Sequence, residues 1–133
     1  MGAAYFIVLE RKVDGLDTKT DGKSISRFSE ELDALALQLG VRPLSEFISI
    51  DPEQAAEFLE DEGADADGIE LPPLQQFPAK DGLATVQLLR THIQANPQAI
   101  QNVDWVLNDL RECERILTAA EKAGIGWHFE VDF

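Results

Sequence analysis

The sequence predicts a small α+β domain, in which an antiparallel or mixed sheet containing both terminal strands is covered by three or four helices. Three observations lead there. Residues 3–9 (Ala-Ala-Tyr-Phe-Ile-Val-Leu) are apolar on both faces and rich in strand formers, the pattern of a central, buried strand. The close, Trp127-His128-Phe129-Glu130-Val131-Asp132-Phe133, alternates strictly between apolar and polar, as a half-buried strand does. Between them, apolar residues recur at helical spacing in several separate stretches.

The elements follow in order. After the first strand, Asp14-Gly15 and Asp21-Gly22 signal turns. A helix is expected from Ser24 or Ser26, carrying Phe28, Leu32, Leu35 and Leu39 on one face and ending at Gly40. Residues 44–50 fit either a helical turn or a short strand, and the turn is preferred. Asp51 as N-cap, Pro52 at the first helical position and Gln54 at the capping-box position start a second helix that closes at Gly63. Residues 61–80 then read as a long irregular connection. A third helix is expected over residues 81–95, with Leu83, Val86, Leu89 and Ile93 on one side. Asn96-Pro97 starts a fourth, whose stripe of Ile100, Val103, Leu107, Leu110, Cys113 and Leu117 runs almost to Gly124. With 133 residues, 44% of them hydrophobic, the chain suits one folded domain over residues 1–133.

The opening Met1-Gly2-Ala3-Ala4-Tyr5-Phe6-Ile7-Val8-Leu9-Glu10 and the close from Trp127 to Phe133 resemble an uncharacterised family of short acidic bacterial proteins. The resemblance covers the whole chain and implies a bacterial source. It carries no activity, so no functional residue is transferred through it.

Charge is the most unusual property. The chain has 25 acidic and 11 basic side chains, a formal charge of −14. Such a surface keeps a protein soluble and repels phosphates, which argues against nucleic acid and anionic membranes as partners. No stretch is long and apolar enough for a membrane span, and the first apolar run is too short for a signal-peptide core, so a cytoplasmic location is expected. From Glu46 to Glu70 there are ten carboxylates and no Lys or Arg. The plain reading is a solvated face. The functional reading is a docking surface for a basic protein, with Glu53, Glu57, Glu60, Asp61, Glu62, Asp65 and Asp67 as contact candidates. Trp105 joins them. Together with Ile116 it lies off the apolar stripe of its helix, so either that helix is covered on two sides or Trp105 marks a partner or homo-oligomer surface. Leu74 and Phe77 offer the same choice.

Candidates for chemistry are few. Asp65-Ala66-Asp67-Gly68 does not fit a calcium loop, because the first and last ligand positions fall on Gly63 and Leu74. His128 and Glu130 share the polar face of the last strand and could act as an acid/base pair or contribute to a metal site. The plainer reading is an exposed histidine beside an acid. Cys113, the only cysteine, falls on an apolar stripe between Glu112 and Glu114 and reads as core. No nucleophile elbow, phosphate-binding glycine loop or zinc signature is present, so no catalytic residue, metal or cofactor is expected. The function that fits is a non-enzymatic, acidic protein-interaction module that binds or inhibits a basic protein. The alternative is an enzyme or metal-binding protein built on His128 and Glu130.

Overall fold

The computed structural model describes residues 3–49 and 74–132. The helix expected over residues 51–63 and most of the long connection lie outside the described residues. The expected architecture is present: an antiparallel three-stranded sheet with order β1-β3-β2, containing the N-terminal β1 (Ala4–Leu9) and the C-terminal β3 (Gly126–Asp132). The short β2 is Phe77–Pro78. The helices among the described residues are α1 (Lys23–Arg27), α2 (Ser29–Leu39), α3 (Ala79–Ala95) and α4 (Val103–Ala123).

The order of the strands corrects one expectation: β1 is an edge strand, and β3 is the centre. On one side β3 pairs with β1 from Ala4↔Asp132 to Leu9↔Trp127. On the other it pairs with β2 at Phe77↔Trp127 and, through an isolated parallel bridge, with Ile48 at Phe129. The alternation in β3 suggested one solvated face, yet Trp127, His128 and Phe129 are all buried. In β1 only Tyr5 and Ile7 are buried, and the residues between and beyond them are half-covered. The outer edge of β1 is closed in part by Gly22, whose carbonyl accepts the Tyr5 N–H at 3.1 Å. Gly22 has φ 65°, and a Cβ there would overlap the Tyr5 carbonyl, so both backbone angle and contact require glycine.

Two further boundaries differ from the sequence pattern, and one open choice is resolved. The first helix is two, because Phe28 leaves the helical region (φ −106°, ψ 26°) and α2 starts anew. Residues 44–47 form a 3₁₀ turn, as preferred, and Ile48 then extends to make its bridge. Asn96-Pro97 starts only a 3₁₀ turn, Pro97–Ala99. Ile100 extends (φ −148°), Asn102 adopts a left-handed φ of 52°, and α4 begins at Val103.

The core lies between one face of the sheet and the helices. An aromatic row runs through it. Phe47 meets Phe77 edge-on with centroids 5.3 Å apart and stacks on Trp127 at 5.0 Å. Trp127 meets Phe129 edge-on at 4.8 Å, and Phe129 lies 5.5 Å from Tyr5. Such offset and edge-to-face contacts add to what area burial alone gives. The Trp127 indole N–H donates to the Pro78 carbonyl at 3.3 Å, and the ring lies against Gly82 of α3. Arg42 covers the end of the row, with its guanidinium 5.0 Å from the Phe47 centroid and 4.9 Å from that of Phe77.

Asp109 of α4 is 2% exposed and sits on the buried stripe between Val106 and Cys113. One carboxylate oxygen accepts the backbone N–H groups of Ser24 (3.1 Å) and Ile25 (3.3 Å), so α4 caps the first turn of α1. Burial pushes the Asp109 carboxyl above its ordinary value. The Ile25 N–H pulls it back, and the nearby Asp21 charge raises it further.

Two predictions follow from this packing. A helical Gly→Ala change normally stabilises by about 1 kcal/mol. At Gly82 the added Cβ overlaps the Trp127 indole. Gly82→Ala should therefore lower stability by about 0–2 kcal/mol net, since overpacking costs about 1–3 kcal/mol; denaturant unfolding measures it, and a stabilised variant would refute this packing. Asp109→Ala should cost about 2 kcal/mol or more by orphaning two N–H groups. Asp109→Asn keeps an acceptor and isolates the charge. Because the folded carboxyl is raised, wild type loses this group's stabilisation as pH climbs from about 4 through the raised value. The Asn variant should thus gain on wild type from pH 4 to 7, and a difference that is flat or shrinks with pH would contradict the burial.

Candidate functional site

The sequence singled out two groups of residues, and the structure treats them differently. Of the partner-contact candidates, Glu53, Glu57, Glu60, Asp61, Glu62, Asp65 and Asp67 lie outside the described residues. At the start of that acidic stretch, Glu46 is exposed and pairs with Arg42 at 3.9 Å. Trp105 and Ile116, both off the stripe of α4, part company: Ile116 is fully buried, while Trp105 is 68% exposed. Phe77 is core and Leu74 is exposed. So the helix is indeed covered on two sides, except at its first turn, where Trp105 projects.

Trp105 borders a groove of about 350 Å³ between α1 and the start of α4. Its other walls include Lys23, Arg27, Phe28 and Asn102. The Arg27 guanidinium lies over the Phe28 ring, 5.5 Å from its centroid. Sequence reasoning grouped Trp105 with the acids, but its neighbours in space are two cations more than 75 positions away in the chain. No local pattern could reveal that meeting, since only the packing of α1 on α4, capped by Asp109, produces it.

His128 and Glu130 do come together. Nε2 of His128 lies 2.7 Å from Glu130 Oε2, and Nδ1 lies 3.2 Å from Gln76 Oε1. The expectation of an exposed histidine is overturned, because His128 has no solvent exposure. Alternation assigned this face to solvent, yet the imidazole is closed off on it, with Glu130 and Gln76 engaging its two ring nitrogens. Gln76 was not foreseen, being 52 residues distant. Gln76 lines a second groove, of about 410 Å³, at the end of the sheet with Glu10, Lys80, Glu121 and Gly126. Its floor is held by the Gly126 N–H donating to Glu10 Oε1 at 2.8 Å. His128 does not line that groove, so a bound molecule would meet the amide of Gln76 and not the imidazole.

The remaining chemical candidates are not gathered. His92 is half-buried on α3. Cys113 belongs to the core on the helix-covered face, whereas His128 points to the other face of the sheet. Burial, with the Asp109 and Glu112 charges adding to it, drives the Cys113 thiol far above its ordinary value and leaves no usable thiolate. Among the described residues no group of three or more His, Cys, Asp or Glu could hold a metal.

The buried contacts of His128 read most directly as structural: both ring nitrogens have partners, and a buried polar group that loses its partner is costly. Glu130→Ala should therefore lower stability by about 1–3 kcal/mol. In a His128→Phe background the same change should cost much less, because no imidazole is left unpaired. A double-mutant cycle by urea unfolding reads this coupling, and purely additive effects would show the pair to be energetically idle. No protein-family model, no curated protein and no solved structure matches the chain.

Proposed function

We propose that this chain is a non-enzymatic protein-interaction module whose partner is a basic protein. The observation that carries this reading is Trp105. The fold buries Trp127 completely but leaves the Trp105 indole 68% exposed on the first turn of a 21-residue helix. Tryptophan is among the residues most enriched at binding hot spots. The chemistry-bearing side chains, by contrast, are closed away: Cys113 and His128 are buried, on opposite faces of the sheet.

Charge supports the nature of the partner. A net charge of −14, with ten carboxylates from Glu46 to Glu70, attracts a basic surface and speeds encounter. The same field disfavours nucleic acid. Among the described residues no helix is long and apolar enough to cross a membrane.

The two contributions separate in kinetics. Partner captured on the immobilised protein, then measured at two salt concentrations, should associate more slowly at high salt, because exposed charges are screened beyond about 8 Å at physiological ionic strength. Glu57→Lys with Asp61→Lys should slow association and leave dissociation nearly unchanged. Trp105→Ala should speed dissociation about tenfold or more at either salt, the loss of an apolar anchor. Association indifferent to salt and to the double reversal would reduce the acidic stretch to a solvating face, and an unchanged dissociation rate in Trp105→Ala would remove the anchor.

A further inference from the structure

The groove beside Trp105 has a chemistry of its own that the acidity of the chain conceals. Lys23 and Arg27 are four residues apart on α1, on one side of that helix, and both border the groove. The chain has more than twice as many acids as bases, yet neither of these cations forms an ion pair among the described residues. Ser24, between them, is 8% exposed and also lines the groove, and its hydroxyl has no hydrogen-bond partner among the described residues. Asp21 is the one carboxylate in the lining among the described residues. Among the described residues, two cations and one carboxylate give the lining a net charge of +1. The lining also holds two aromatic residues: Trp105, whose indole is exposed, and Phe28, which lies beneath Arg27.

We propose that this groove binds a small organic monoanion consisting of an aromatic ring and a carboxylate. Each feature meets one part of such a ligand. The ring stacks on Trp105. The carboxylate faces Arg27, whose planar fork matches its two oxygens, with Lys23 as a second charge and the Ser24 hydroxyl as a neutral donor. The net +1 of the lining is neutralised by one negative charge, while a dianion would leave an excess beside Asp21. A volume of about 350 Å³ has ample room for one ring and its acid. Repulsion from the rest of this acidic molecule reaches the site weakly, since charges more than about 8 Å away are screened in physiological salt. The inference goes beyond the partner reading and is tested without any second protein.

The chain has two tryptophans, so ¹H–¹⁵N spectra show two indole signals. Trp105 is the reporter. Trp127, buried and bonded to Pro78, is the internal control for folding. Phenylacetate supplies ring and charge, phenylacetamide the ring alone, and acetate the charge alone. Titration with phenylacetate should shift the Trp105 indole saturably, with a Kd of about 1 mM or below, and leave Trp127 in place. Phenylacetamide and acetate should each bind about tenfold more weakly or worse, as expected when a charged hydrogen bond or the stacking contact is missing. Arg27→Gln should weaken phenylacetate by a similar factor with the Trp127 signal unmoved; Lys23→Gln serves if Arg27→Gln disturbs that signal. A non-saturating shift, equal binding of phenylacetamide and phenylacetate, or full affinity in the folded glutamine variant would each overturn the proposal.

Discussion

The structure depends on how Trp127 is seated. Its indole stacks on Phe47, meets Phe129 edge-on, lies against the bare backbone of Gly82 and donates its N–H to Pro78. Those contacts tie the central strand to the 3₁₀ turn, to β2 and to α3 at one point. The turn at residues 44–47 has little regular hydrogen bonding, and β2 has only two residues; neither would be stable alone. What holds them is a large aromatic ring with one polar atom, placed where that atom has an acceptor. Arg42, lying across Phe47 and Phe77, then shields the end of the row from water while its own charge stays at the surface.

Much of this was legible in the sequence, and what was not has identifiable causes. Both terminal strands, their shared sheet, the helical layer and the burial of Cys113 follow from periodicity and composition. The burial of His128 was hidden because His128 and Glu130 look like the solvent-facing half of an alternating strand. Their partner Gln76 comes from a different part of the chain, and strand pattern cannot register a satisfied buried polar residue. The break at Phe28 is similarly tertiary: the stripe of apolar residues continues across it, while Asp109 captures the N–H groups of α1 from another helix. Asp109 itself had a signal, an acid at a position of the buried stripe, which is the mark of a committed capping or pairing role. Of the candidate site, the sequence could offer Trp105 as an off-stripe aromatic, but not the cations it meets.

The molecule thus carries two electrostatic characters. Its total charge is strongly negative, and the longest acidic stretch holds no cation at all. Against that background Lys23 and Arg27 make a small positive recess. Long-range attraction follows the total, and short-range selection follows the recess, because screening separates the two distances. Asp109 caps α1 from inside the core, while Lys23 and Arg27 stand exposed on the same helix and border the groove.

The position of β3 bears on how the chain reaches this structure. Its central strand is the last element, and β1, the first, pairs with it across more than a hundred residues. Closing so long a loop has an entropic cost that is recovered only when the ladder forms. The α3–α4 pair, by contrast, is built from contacts near in sequence and can assemble early. Until β3 is in place, the apolar stretch from Tyr5 to Leu9 lacks its partner strand and is open to wrong association. Pairing over so long a separation is the kind of contact that forms slowly, and a net charge of −14 opposes association of chains that have not yet made it.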